Sequence, residues 1–289
     1  MGDSQVPSLR PLCSAVLLCL SIVAMSVPKA LAQTTGATAA QGPELAGIAH
    51  AAIRVSDLSK SRDFYQKLGF EEAFAMDQGG VQTQSFIKIN DRQFIELYPQ
   101  REPSQTIGFM HVCFEAFDLE GLNKFYISEG PKPIAVRRAG AGNLLFTMAG
   151  PENQNIEYTQ YMPGSKHTND RGKHLGAHRI ADEILAVGIA MQDPAAAVTY
   201  YKQKLRFGAA QGWDPGQNWL SLPGTPRQLV EIEQQAPGVV FQLYFSVPDL
   251  RRAEKQLKTL GMTVVKQKVG LAVSDPDGNR IVFVKANPV

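Results

Sequence analysis

The chain has 289 residues, with 29 Lys and Arg against 27 Asp and Glu, for a formal net charge of +2. That balance, with no basic run and no interleaving of basic and aromatic residues, argues against a nucleic-acid partner. The length suffices for one large or two ordinary domains.

In chain order, Arg10 precedes an apolar stretch from Ala15 to Met25, and Ala30-Leu31-Ala32 follows with the small-x-small pattern of a signal-peptidase site. Residues 1–32 are therefore expected to be a signal peptide, cut after Ala32. The apolar run falls short of the roughly 20 residues that span a bilayer. Export to the periplasm or the medium is the expected localisation, with no membrane segment left in the mature form. Cys13 and Cys19 leave with the peptide, so the mature chain keeps only Cys113 and depends on a packed core rather than a disulfide. Residues 33–45, rich in Ala, Gly and Thr, are expected to form a disordered tail.

From about Gly47 the pattern is a strand (Ile48 to Val55), a helix (Ser59 to Leu68) and three strands, near Glu72 to Met76, Gln84 to Ile89 and Phe94 to Tyr98. Ser56 or Asp57 can cap the helix and Gly69 can end it. The order then recurs with a strand from Met110 to Ala116, a helix after Asp118 that runs to Ser128, and strands near Ile134 to Arg137, Leu144 to Met148 and Ile156 to Tyr161. Residues 163–180, polar and bearing His167, His174 and His178, are taken as a solvated linker rather than a second metal site. Beyond it the pattern returns twice, from Leu185 and from Phe241, with helices around Tyr200-Tyr201 and after Asp249. Four βαβββ units of an α+β chain result, the first pair over 46–162 and the second over 181–289.

His50 and Glu96 are separated by the same interval as His111 and Glu157, and each lies in an apolar strand-like run. Ionisable groups placed there must be paired, neutralised or bound to a metal. Strand alternation puts His50, Ala52 and Arg54 on one face, and likewise His111, Cys113 and Glu115, and Phe94, Glu96 and Tyr98. Two imidazoles and two carboxylates form a mixed N/O set suited to one divalent transition metal, whether Fe, Mn, Co, Ni or Zn. Arg92-Gln93-Phe94-Ile95-Glu96 lines up with Arg227-Gln228-Leu229-Val230-Glu231, and Gly150 to Glu157 with Asp275 to Val282. At the ligand positions the second half then carries Ala186, Glu231, Gln242 and Val282, a set that will not hold a transition metal. Cys113 is taken as structural.

The stretch His50-Ala51-Ala52-Ile53-Arg54-Val55, with Ser61, Phe64-Tyr65 and Leu68-Gly69-Phe70, resembles a glyoxalase I signature. Gly108-Phe109-Met110-His111-Val112-Cys113, with Glu115 and Asp118, is similar to the second one. On these residues the chain resembles the vicinal oxygen chelate superfamily of glyoxalase I, extradiol dioxygenases and bleomycin resistance proteins. The resemblance implies two tandem domains, each a pair of βαβββ units curled into an open barrel, the first holding the metal at His50, Glu96, His111 and Glu157.

Glyoxalase-like lyase or isomerase chemistry on a small oxygen-chelating substrate is then expected, with Glu157 as base, Glu96 as its partner, and Arg54 and Gln100 as substrate-binding residues. Gln100 stands where the family uses Asn, and Ile107 where it uses Arg. The alternatives are an extradiol dioxygenase using His50, His111 and Glu157, against which Thr147 replaces the expected Tyr, and a non-catalytic small-molecule binding protein. A monomer or homodimer is expected.

Overall fold

In a computed structural model, residues 1–2, 43–210, 218–238 and 240–285 are described, so the expected signal peptide and most of the expected tail lie outside the described residues, as does Trp213. The unit spanning Gly42–Val289 contains two sheets built to one plan. The first is formed by β1 (Leu45–Val55), β2 (Glu71–Gln78), β3 (Val81–Lys88), β4 (Phe94–Pro99), β5 (Gly108–Ala116), β6 (Arg137–Arg138), β7 (Leu144–Ala149) and β8 (Asn155–Gln160). Helix α1 (Leu58–Lys67) follows β1 and α2 (Leu119–Glu129) follows β5. The strand order is β2-β3-β4-β1-β5-β8-β7-β6, so the two βαβββ units meet where β1 and β5 pair antiparallel.

After the short helix α3 (Lys166–Asn169), the second sheet repeats this order with β9 (Glu183–Met191), β10 (Gly208–Ala209), β11 (Asn218–Leu222), β12 (Thr225–Gln234), β13 (Gln242–Val247), β14 (Val265–Gln267), β15 (Gly270–Ser274) and β16 (Arg280–Lys285). Its helices are α4 (Pro194–Lys204) and α5 (Leu250–Thr259). Asp57, Asp118, Asp193 and Asp249 each accept a backbone N–H at the first turn of their helix, so the repeated Asp after the first strand of each unit is the helix start signal.

Two elements differ from the sequence expectation. Leu45 belongs to β1 rather than to a tail, because it is buried and its N–H donates to the Pro223 carbonyl at 2.8 Å. The strand expected near Ile134 reduces to Arg137–Arg138; the Ile134 N–H donates to the Thr147 carbonyl and its carbonyl accepts from the Asn123 side chain.

One face of each sheet carries the apolar core under the helices. Ala51, Ile53, Val55, Ile95, Leu97, Val112, Phe114, Ile156 and Tyr158 pack there with Tyr65, Leu68, Leu122 and Tyr126. Ile48 joins this face, although simple alternation would set it beside His50, because a register shift between Ile48 and His50 inserts one residue into β1.

The aligned repeat residues lock the two halves to each other. Gln93 Oε1 accepts from the Ile184 N–H at 2.7 Å, and its counterpart Gln228 accepts from the Ile48 N–H at 2.6 Å. The Glu152 carboxylate accepts from Gln192 and Asp193 N–H groups at 2.9 and 2.8 Å, while Asp277 accepts from the Ser56 N–H at 3.1 Å. The two glutamine bonds are buried and satisfy backbone N–H groups that would otherwise be orphaned, while the carboxylate bonds lie at the exposed edge.

Candidate metal centre

The four expected ligands lie on the adjacent strands β4, β1, β5 and β8. Ala52 is opposite both Glu96 and His111, and His50 is opposite Cys113, which in turn pairs with Glu157. Ala52, between them, carries only a methyl group. All four come together around His50. Its Nε2 lies 3.2 Å from His111 Nε2 and 3.3 Å from Glu157 Oε1, and its Nδ1 lies 3.3 Å from Glu96 Oε1. Tyr98 donates its hydroxyl to Glu96 Oε2 at 2.9 Å.

Two imidazole nitrogens turned towards each other with two carboxylates beside them form a donor set for a cation. His50 Nδ1 is buried and makes no hydrogen bond, although Glu96 is near enough for charge attraction. Among the described residues, both groups of potential ligands close enough to share an ion contain His50, one with Glu96 and His111, the other with Cys113 and Glu157. The residues fit a divalent transition metal bound through N and O.

Residues 47–128 match the family model described as the Glyoxalase/Bleomycin resistance protein/Dioxygenase superfamily. That segment is similar to the vicinal oxygen chelate proteins, as its signature residues implied. No protein of curated function matches its sequence. Among solved structures, it is similar to the 2,3-dioxygenase LapB from Pseudomonas sp. KL28, at 17% identity and a TM-score of 0.62 over 86% of this chain and 94% of that one. The Mn(II)-bound glyoxalase from Novosphingobium aromaticivorans gives 13% identity and a TM-score of 0.65 over 84% and 83%. An extradiol ring-cleaving dioxygenase from B. fuscum gives 16% and 0.63 over 85% and 73%. At these identities the likeness is one of fold: the two sheets are tandem domains of the architecture those structures share.

The electrostatics of the site follow from burial and from the four groups themselves. Burial opposes a charge on His50, but the carboxylates of Glu96 and Glu157 outweigh it and its pKa is raised. Burial lowers His111 to about 4, so its imidazole is neutral and has a lone pair to offer. Glu96 is raised by burial, with Glu157 adding to the effect beyond what His50 and Tyr98 offset. On Glu157 burial is overcome by the hydrogen bond and charge of His50, and its pKa is lowered. Cys113 is buried and pushed well up by burial and the nearby carboxylates, which makes it a thiol rather than a nucleophile.

A cavity of about 200 Å³ opens beside the site, lined by Glu96, Glu157, Tyr98, Arg137, Asn143 and His167, with Gln84, Phe86 and other residues completing it. Arg54 and Gln100 are not among its lining residues. Arg54 Nη1 donates to the Thr106 carbonyl at 3.1 Å and Gln100 Nε2 to the Gln105 carbonyl at 2.8 Å, so both tie down the loop between β4 and β5.

His167 is the residue that sequence reasoning missed. The stretch read as a solvated linker folds back on the first sheet: Lys88, fully buried on β3, donates to the Asp170 carbonyl at 2.6 Å and carboxylate at 2.8 Å. His167 is thereby buried against Phe74, Phe86, Phe94 and Tyr161. A signal was present in Ser165, whose side chain caps α3 by accepting from the Thr168 N–H.

In the second sheet the equivalent space is filled. Leu185, Ala186, Trp219, Leu229, Tyr244 and Val282 form an apolar cluster there. Tyr244, at the position of Cys113, stacks edge-on against Trp219 at 5.1 Å and donates its hydroxyl to Glu231. Burial raises Glu231 to about 8, with Glu233 adding to the effect and Tyr244 opposing it. In the unfolded chain Glu231 ionises near the ordinary value of 4.5, so the folded state holds the extra proton between there and about 8. The stability this gives is complete below the unfolded pKa and is lost as pH rises through about 8. Glu231→Gln is therefore expected to leave the melting temperature nearly unchanged at pH 5 and to raise it above the parent at pH 9, a difference that thermal melts at the two pH values would read.

Proposed function

We propose that this protein is a divalent-metal-dependent isomerase or lyase acting on a small molecule with vicinal oxygens. The observation that carries this reading is the pair of carboxylates, Glu96 and Glu157, each in a potential ligand group with His50 and both lining one small cavity. When bound, the metal would act as a Lewis acid on the substrate oxygens and make the adjacent C–H more acidic. The chain's own part is proton transfer. Glu157, with its side chain 14% exposed against 7% for Glu96, reaches the cavity more freely and is assigned as the base. Glu96, held by Tyr98, is its partner and keeps His50 oriented. The cavity of about 200 Å³ limits the substrate to a small molecule.

The test is wash-in of deuterium from D2O into the C–H of a small α-hydroxy ketone such as dihydroxyacetone by Ni(II)-, Co(II)- or Zn(II)-loaded protein. Exchange that falls by ~10²-fold or more in Glu157→Gln, as loss of a general base predicts, supports the reading. Exchange at the blank rate, or unchanged in the variant, overturns it.

One observation favours a second reading. Glu96 faces His50 Nδ1 and Tyr98, on the other ring edge from the side where His50 Nε2 meets His111 and Glu157. Set apart in this way, it leaves two His and one carboxylate, the donor set of non-haem Fe(II) oxygenases. Oxygen uptake by Fe(II)- or Mn(II)-loaded protein with catechols would select this alternative. Export is also part of the proposal, resting on Arg10, the Ala15 to Met25 run and Ala30-Leu31-Ala32; a mature N-terminus at Gln33 in the periplasmic or secreted fraction is the expected result.

A further inference from the structure

His167 comes from the segment between the two domains, which has no counterpart in the fourfold repeat. The Asn143 side-chain amide lies 2.8 Å from its Nδ1, and both residues are buried. With the Asn143 amide N–H₂ donating, Nδ1 is the acceptor and the ring proton is placed on Nε2. That Nε2 is buried without a hydrogen-bond partner, and so is Asn143 Oδ1. A buried donor and a buried acceptor left together without partners are costly unless something binds them.

Packing leaves the ring little freedom. Tyr161 stacks on it at 4.9 Å, and Phe94 and Phe74 meet it edge-on at 4.8 and 4.9 Å. Burial, with the charge of His50 acting in the same direction, lowers its pKa to about 3, so it is a neutral donor. Gly142 brings the β6–β7 loop close to α3: a Cβ there would sit 3.2 Å from the Ser165 Cα, at a φ of +91° that disfavours any other residue. Both His167 and Asn143 line the cavity that Glu96 and Glu157 line.

We propose that His167 and Asn143 form a substrate-binding pair, in which the Nε2–H of His167 donates to an oxygen of the bound substrate and Asn143 Oδ1 accepts from a hydroxyl or N–H group. This rests on the metal-site reading above and extends it to the substrate class: a small chelating molecule that presents a hydrogen-bond donor as well as its acceptor oxygens, such as a hydroxyketone, hydroxy acid or hydroxamate. It also gives the segment between the domains a purpose, since folding it back over the first sheet completes the site.

The experiment uses the Co(II)-loaded protein and acetohydroxamate, a small O,O-chelator with an N–H, with binding read from the visible absorption of the cobalt. Metal content and melting temperature are measured first for the parent, His167→Phe and His167→Gln. The expected result is equal metal in all three, binding at least tenfold weaker in His167→Phe, and recovery to within about threefold in His167→Gln, whose amide restores a donor. Binding by His167→Phe within twofold of the parent at equal metal content overturns this proposal alone, whereas a parent protein that takes up no metal overturns the metal reading and this one together. Should His167→Phe fail to fold, the Zn(II)-loaded parent carries the test: the His167 Nε2–H proton resonance moves downfield when acetohydroxamate is added, and an unmoved resonance overturns the proposal.

Discussion

His50→Ala and His111→Ala are expected to abolish retention of a transition metal, from about one equivalent in the mature parent to background, with little change in far-UV circular dichroism. His50 is the residue common to both ligand groups, and every other candidate donor is placed relative to it. Removing either imidazole leaves the carboxylates of Glu96 and Glu157 near each other with one nitrogen fewer to neutralise through a metal. The loss should exceed the ~10- to 100-fold seen when only an outer partner of a ligand is removed. Glu231→Ala, at the position of Glu96 in the second half, should leave metal content untouched, because Ala186, Gln242 and Val282 stand there in place of His50, His111 and Glu157. Elemental analysis of protein purified without added metal or chelator decides the matter. Parent and histidine variants with equal metal would mean that the ion, if any, is held elsewhere.

Asp170→Ala is expected to destabilise the protein by about 3 kcal/mol, the order found when one partner of a buried ion pair is removed. Lys88 has no exposed surface and directs its ammonium group at the Asp170 carboxylate, the Asp170 carbonyl and the Asp91 carboxylate, the last also at 2.8 Å. Without Asp170 a buried cation keeps only the partly exposed Asp91 and a carbonyl. Replacing both charged partners, as Lys88→Met with Asp170→Leu, should cost less than Asp170→Ala alone, since no unpaired charge then remains buried. Denaturant melts of the three variants test this, and a double variant less stable than the single one would show that the segment is held by something other than this pair. The same change bears on the site: the segment anchored by Asp170 carries His167, so Asp170→Ala should also weaken acetohydroxamate binding in the metal-loaded protein.

Much of this molecule was legible because local chemistry and long-range placement coincide in it. An Asp after the first strand of each unit starts a helix whatever surrounds it, and strand alternation places His111, Cys113 and Glu115 on one face without reference to any other strand. Duplication did the rest: once Arg92 to Glu96 aligned with Arg227 to Glu231, the missing ligands at Ala186, Gln242 and Val282 were visible in the letters alone. The alignment did not show why Gln93 and Gln228 recur. Their amides bond to backbone of the opposite half, Ile184 and Ile48, a pairing that exists only when the two domains are packed together.

The sequence by itself determined the α+β fold, the fourfold repeat, the candidate ligands and which half could carry them, because these rest on periodicity and residue type. Tertiary structure alone decided the rest. It set which ring edge of His50 meets which carboxylate, since register between β4, β1, β5 and β8 is a matter of strand pairing. It filled the second barrel with Trp219 and Tyr244, whose apolar bulk reads in sequence like any core residue. It turned a polar, histidine-bearing stretch into the wall of the cavity, because the burial of His167 depends on Lys88, far back in the chain, having an anion to reach.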